Sequence, residues 1–358
     1  MSGALLRIFL LFFAVVPALA APPTSAPAER TSAPAAPTSD VSAAWPPLPS
    51  ETRAVLLLTG GDFGYAKPKG CNGRAGGAQY RPAFDRWLAQ RAPNVERIWL
   101  AAGDNGPFHN EQVAVSFDEM LALYARVGYR AATIGDAELR TPGPATLARE
   151  AAATGAGAAT NAQRAATTGG AATNAQRAAT TGGAATNAQR AATTGGARPA
   201  LVAANVVVHE TGRAALPASI VLETRAGRWL VVGAAPHRPS QVFGAPDVGT
   251  IVTVPAAPAV RAELERRRGE YDHVVLVSSL DYRDLEQLVA TVPGIDVVAS
   301  SAGTYFEPAP RAVGATQLFW LGAEGLRLGR VALDDKGRVL EARVIPIRGD
   351  FPIDPLAP

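Results

Sequence analysis

The chain has 358 residues, a formal net charge of +3 and 47% hydrophobic residues. That length holds one large domain or two medium ones, with ample apolar content for a core even though much of it is alanine. So small a charge excess gives no argument for nucleic acid as a partner.

Arg7 precedes the apolar run Ile8 to Val16, and Pro17-Ala18-Leu19-Ala20 supplies an A-x-A cleavage pattern. Residues 1–20 therefore read as a secretory signal peptide, too short for a membrane span. The mature chain is expected to be periplasmic or secreted, without membrane insertion. Residues 21–52, rich in Pro, Ala, Ser and Thr, read as a disordered tether that buries no core. Cys71 is the only cysteine, so no internal disulfide exists. Its neighbours Gly70, Asn72 and Gly73 do not read as core.

Val55 to Leu58 is a continuous apolar run, the mark of a strand buried on both faces. It runs into Thr59-Gly60-Gly61-Asp62. Lys67 to Gly77 is a glycine-rich loop. Tyr80 to Ala92 reads as a helix, with Pro82 early and Phe84, Trp87 and Leu88 on one face. Ile98 to Ala102 is a second strand, ending at Gly103-Asp104. Val113, Phe117, Leu121 and Tyr124 form a helical stripe that Gly128 stops, and those aromatics read as core. Ala131 to Ile134 is a third strand, ending at Gly135-Asp136.

Residues 159–197 are three perfect copies of ATNAQRAATTGGA. Alanine is the only apolar side chain in the unit, so neighbouring copies have nothing to bury and a solenoid is not expected. Residues 150–199 read as a disordered low-complexity insert in a domain spanning 53–348, with 349–358 a tail.

The fold resumes at Ala200 to Val207. Ile220 to Glu223 and Trp229 to Ala234 read as paired strands, and Ala259 to Arg268 as a polar helix. Val274 to Val277 is a buried strand. Asp281 caps the next helix, whose inner face is Leu285, Leu288 and Val289. Ile295 to Ala299, Gln317 to Leu321, Leu328 to Leu333 and Val339 to Ile345 are further strands. This order predicts an α/β fold with two sheets and not one doubly wound sheet.

Asp62, Asp104 and Asp136 each stand at the carboxyl end of an apolar strand, where ligands of open α/β sheets sit. They are the candidate site. Turn formation and helix capping are the ordinary uses of such acids. A convergent trio would suit one hard divalent cation, Mg²⁺, Ca²⁺ or Mn²⁺. His109, just after the Gly103-Asp104 turn, is a further candidate ligand. His273 reads as a core or edge histidine, and His209 and His237 as solvated loop residues. Cys71, near Lys67, Lys69 and Arg74, is a candidate redox thiol, since cationic neighbours lower a thiol pKa.

The order of strand-end motifs resembles the calcineurin-like metallophosphoesterases, and most of all the metal-binding N-terminal domain of secreted bacterial 5′-nucleotidases. The resemblance runs from about Ala54 to Ile347, broken by the insert. The family's N-D-x-H-G signature falls on Gly61-Asp62-Phe63-Gly64-Tyr65. Its glycine pair and basic helix start fall on Gly76-Gly77 and Arg81, and its G-D pair on Gly103-Asp104. Its "lGYdaatlGNHEfd" segment falls on Val127 to Leu139, and "lsAN" on Val202 to Asn205. Its "aDvvIvLsHlG" segment falls on Tyr271 to Asp281, and "vpgiDvvigGHsH" on Val292 to Thr304. The resemblance implies a four-layer α/β/β/α sandwich and a two-metal phosphoric ester hydrolase.

Every histidine of that pattern is replaced. Gly64, Ala137, Ser279, Ala302 and Thr304 stand in the histidine positions, Asp136 replaces an asparagine, and Asp62 and Asp104 stand unchanged. Serine and threonine hydroxyls are poor substitutes for imidazole toward zinc, iron or manganese. A two-metal centre is not expected. The reading is a degenerate phosphoesterase that binds an unidentified small molecule or protein. An active hydrolase with a site rebuilt from Asp62, Asp104, Asp136 and His109, and a redox protein using Cys71, are the alternatives. The family's nucleotidases also carry a second domain that grips the base, and this chain ends at Pro358. Nucleotide specificity is therefore not carried over.

Overall fold

The computed structural model describes residues 46–67, 76–107, 114–140, 197–238, 243–245 and 249–347. The sequence-based expectations for the signal peptide, most of the tether, nearly all of the repeat insert and the tail lie outside the described residues. In chain order the elements begin with β1 (Ala54–Thr59), α1 (Arg81–Arg91), β2 (Glu96–Ala101), α2 (Phe117–Val127), β3 (Tyr129–Ala132) and α3 (Asp136–Arg140). Next come β4 (Ala200–Leu201), β5 (Val206–Val208), β6 (Arg213–Ala214), β7 (Ser219–Thr224), β8 (Gly227–Ala234), β9 (Phe243–Ala245) and β10 (Gly249–Thr253). The remainder is α4 (Ala256–Arg266), β11 (His273–Ser278), α5 (Tyr282–Thr291), β12 (Val297–Ser300), β13 (Arg311–Val313), β14 (Thr316–Trp320), β15 (Arg327–Leu333) and β16 (Val339–Pro346).

Two six-stranded sheets carry the fold, in the orders β16-β15-β1-β2-β3-β4 and β13-β14-β12-β11-β8-β7. In the first, β1 to β4 run parallel and β15 joins β1 antiparallel. In the second, β8, β11, β12 and β14 run parallel, with antiparallel strands at both edges. A small third sheet, β6-β5-β10-β9, packs Val206 and Ile251 into the core that also holds Val55 and Leu57.

Alternation along each strand sorts side chains into separate cores. Ala54, Leu56 and Leu58 of β1 meet Trp229, Val231, Val275, Val277 and Phe319 of the second sheet. Val55 and Leu57 point the other way, onto Phe84 and Leu88 of α1 and Met120, Leu121 and Tyr124 of α2. On the second sheet, Leu230, Leu276 and Val298 lie under Val260 and Leu264 of α4 and Leu285 and Leu288 of α5. The two sheets thus face each other and each carries helices on its other face.

Local chemistry sets the helix ends. Ser116 and Glu119 form a reciprocal capping box at the start of α2, and Gly128 closes it in the left-handed conformation (φ 92°). Asp281 accepts the Asp284 amide at 3.1 Å and starts α5, as its sequence position predicts. Between β4 and β5 the buried Asn205 side chain bonds the Ala235 and Val254 carbonyls at 2.8 and 2.9 Å and accepts the Ala235 amide at 2.9 Å. Among the described residues no helix is long and apolar enough to cross a membrane.

Replacing Ser116 by Ala should cost about 1 kcal/mol of stability. Urea denaturation checks this: the midpoint should fall with an unchanged slope.

Candidate active site: a crevice closed by its own side chains

The carboxyl ends of the parallel strands in both sheets converge, and backbone and side-chain hydrogen bonds join their loops. The Gly61 amide donates to Gly103 O at 3.0 Å, Phe63 to Asp104 O at 2.9 Å and Gly64 to Asn105 O at 2.8 Å. The Ser301 hydroxyl, after β12, donates to Gly103 O at 2.6 Å. The Ser279 hydroxyl, after β11, donates to Ile134 O at 3.2 Å. One position that the resemblance assigns to a metal-binding imidazole therefore holds a hydroxyl bonded to a backbone carbonyl.

Asp62 lies fully buried at the end of β1. Gly76 and Gly77, both at positive φ, turn the chain so that Ala78 and Gln79 bond back to Tyr65 and Ala66. This docks the start of α1 beside the strand end and aims Arg81 at Asp62. The guanidinium grips both carboxylate oxygens, at 2.7 and 2.5 Å. The Tyr124 hydroxyl of α2 donates to the same carboxylate and lies 2.8 Å from the Asn105 amide oxygen. Burial pulls the Arg81 pKa down, but the Asp62 charge, Tyr129, Tyr124 and the hydrogen bond to Asp62 together outweigh it and hold the group well above the usual arginine range. Burial, then the Asp62 charge, pushes the Tyr124 phenol well up, so it stays a donor.

Asp104 sits at φ 59°, a left-handed conformation that aspartate tolerates better than most residues. Its Oδ1 accepts the Ala137 amide at 3.1 Å. Beside it is Glu138, fully buried, which accepts four backbone N–H groups: Asp104 at 3.0 Å and Asn105, Gly106 and Gly135 at 2.6 Å each. Glu138 thereby ties the loop after β2 to the start of α3. Burial pushes both acids up, and the Glu138 charge pushes Asp104 further, whereas the amides of Gly106, Gly135 and Asn105 pull Glu138 part of the way back down. Asp136 lies at the crevice edge and pairs with Arg238 through two bonds, at 2.7 and 3.2 Å.

The three strand-end acids are thus brought to one end of the sheets, each with a protein partner of its own. Among the described residues no group of three or more His, Cys, Asp or Glu side chains is arranged to hold a metal ion. Arg81 engages both oxygens of Asp62, Arg238 both of Asp136, and the start of α3 one oxygen of Asp104. Backbone also presses on two of them: a Cβ on Gly325 would lie 2.7 Å from Asp62 Oδ1, and one on Gly135 2.3 Å from Asp104 Oδ1. Gly64 is equally confined, at φ 75°, with Val115 O 2.6 Å from where its Cβ would be. The described residues do not fit a two-metal centre. His109 and Cys71 lie outside the described residues. His273 bonds the Lys336 carbonyl at 2.7 Å and stacks on Trp229, His237 bonds the Thr253 carbonyl at 2.8 Å, and His209 is exposed.

The acids are legible in the sequence at their strand ends, but Arg81, Tyr124 and Glu138 are not legible as their partners. Glu138 carries one usable signal: it stands three residues after Gly135, the spacing at which a glutamate reaches back to a helix start.

No family model matches the chain, and no curated protein sequence matches it. Solved structures do. The chain is similar to the sulfate thiohydrolase SoxB of Thermus thermophilus, with 16% identity, a TM-score of 0.59, and 85% of this chain and 58% of that one covered. It is similar to a 5′-nucleotidase precursor, also from Thermus thermophilus, with 17% identity, a TM-score of 0.58, and 85% and 56% covered. It is also similar to the calcineurin-like phosphoesterase YfkN of Bacillus subtilis, with 11% identity, a TM-score of 0.52, and 85% and 92% covered. The chain spans a little over half the length of the first two.

A pH dependence follows from the buried acids. Asp104 and Glu138 have raised folded pKa values, so between the unfolded range near 4 and those values the native state binds more protons. Their contribution to stability is largest at low pH and is lost as pH rises. Asp104→Asn keeps the Ala137 contact and removes one charge. Its stability relative to the parent should rise between pH 4 and 8 in denaturation curves; a flat difference would contradict the assignment.

Proposed function

We propose that this chain, which has the calcineurin-like metallophosphoesterase fold, has given up two-metal phosphoester hydrolysis and acts outside the cytoplasm as a binding or accessory protein. One observation carries the reading. Both oxygens of Asp62, the acid that the resemblance makes a metal ligand, are engaged by Arg81 in a fully buried ion pair. A metal there would have to displace a bidentate guanidinium, the form of ion pair with the strongest hydrogen bonds.

Two further features support it. Ser279 replaces an imidazole and has its hydroxyl committed to a backbone carbonyl. Ala137 provides a backbone amide to Asp104 but no proton donor on its side chain. Metal-assisted hydrolysis needs an activated water and a clamp on the developing charge. The charge of Arg81 is already engaged by Asp62, and that of Arg238 by Asp136.

Purified protein should release no phenolate from aryl phosphate mono- or diesters above a protein-free control, with Mn²⁺, Mg²⁺ or Zn²⁺ added in turn. Metal-dependent turnover that disappears in Asp62→Asn and Asp104→Asn would overturn the reading.

A further inference from the structure

We infer that Arg81 is the resident cation of the crevice: its guanidinium does for Asp62 the charge-balancing that a bound metal ion would otherwise do. The inference concerns what holds the crevice together. It can fail while the absence of turnover stands, and the reverse, because its readout is melting temperature and not phosphate release.

Four observations bear on it. Asp62 is fully buried, and Arg81 is 6% exposed. An isolated buried carboxylate is strongly disfavoured in its charged form, and a cation beside it relieves that cost. The guanidinium satisfies the carboxylate in the bidentate geometry. Arg81 is also held from behind, with its charged carbon 5.5 Å from the Tyr124 ring centre and 5.9 Å from that of Tyr129. The two rings stack on each other at 4.3 Å, and the Tyr129 hydroxyl is 2.8 Å from that of Thr59 at the end of β1. An aromatic seat and a carboxylate together fix one cation in one position.

The donors that would face a vacated guanidinium are hard oxygens: the two of Asp62 and the Tyr124 hydroxyl, with the Asn105 amide oxygen 2.8 Å beyond that hydroxyl. Such a set suits Mg²⁺, Ca²⁺ or Mn²⁺ with water completing the shell, and not a soft ion. Two consequences follow. The parent protein is metal-indifferent at this site, and a chain lacking the guanidinium is metal-responsive there.

The test is thermal melting of the full chain, with and without millimolar Mg²⁺, Ca²⁺ or Mn²⁺, and with chelator. The parent should melt at one temperature throughout. Arg81→Ala should melt about 10 °C lower and recover a substantial part of that loss in one of the three cations. Arg81→Lys, which keeps a charge, should fall between and ignore the cations. Parent protein stabilised by the same cations through Asp62, shown by loss of the effect in Asp62→Asn, would overturn the inference. So would a folded Arg81→Ala that no cation restores. If Arg81→Ala does not fold in any buffer, the double variant Asp62→Asn with Arg81→Ala decides. Recovery of a cooperative melt in the double variant supports charge balance as the role of Arg81, and no recovery overturns it.

Discussion

The crevice of this protein is organised by one buried ion pair. Asp62 ends the central strand of the first sheet, and a carboxylate with no access to water there demands compensation. Arg81 provides it, and removing one partner of such a pair typically costs about 3–5 kcal/mol. That requirement reaches outward. Meeting it depends on where α1 begins, which the turn at Gly76 and Gly77, both at positive φ, sets. It also sets the place of Tyr124, so that α2 contributes a hydroxyl to the site as well as apolar surface to the core.

Around this pair the loops are held by direct protein contacts. Glu138 collects four backbone amides, so the loop after β2 and the start of α3 behave as one unit. Ser279 and Ser301 stitch the second sheet to the first through carbonyl oxygens of the first sheet's loops. Here the donors are committed to one another, in the manner of a buried polar network that specifies a single arrangement.

The parts of this plan visible in the sequence are those with short range. The apolar runs of β1, β2, β11 and β12 announce buried strands, and Ser116 and Asp281 sit where caps belong. The three acids do lie at strand ends. The small sheet was not legible because its strands have two to five residues, too few to show a period. The strand β3 begins at Tyr129, two residues before its apolar run, because Gly128 has already released the chain from α2. Tyr124 read as core from its helical spacing, and its ring is core. What spacing does not encode is that its hydroxyl reaches an acid 62 positions earlier in the chain. Partner choice across such separations depends on how the sheets are stacked.

Gly64 adds a steric limit to this arrangement. It occupies a position where the resemblance calls for histidine, yet its backbone is left-handed and Val115 O lies 2.6 Å from where a Cβ would be. The segment that crowds it is the approach to α2, whose Tyr124 serves the central ion pair. Imidazoles placed at Ala137 and Ser279 would therefore still leave a side chain at position 64 without room. A side chain of any size at position 64 would first require the lead-in to α2 to be re-routed, so backbone geometry and not side-chain chemistry sets what this corner of the crevice can hold.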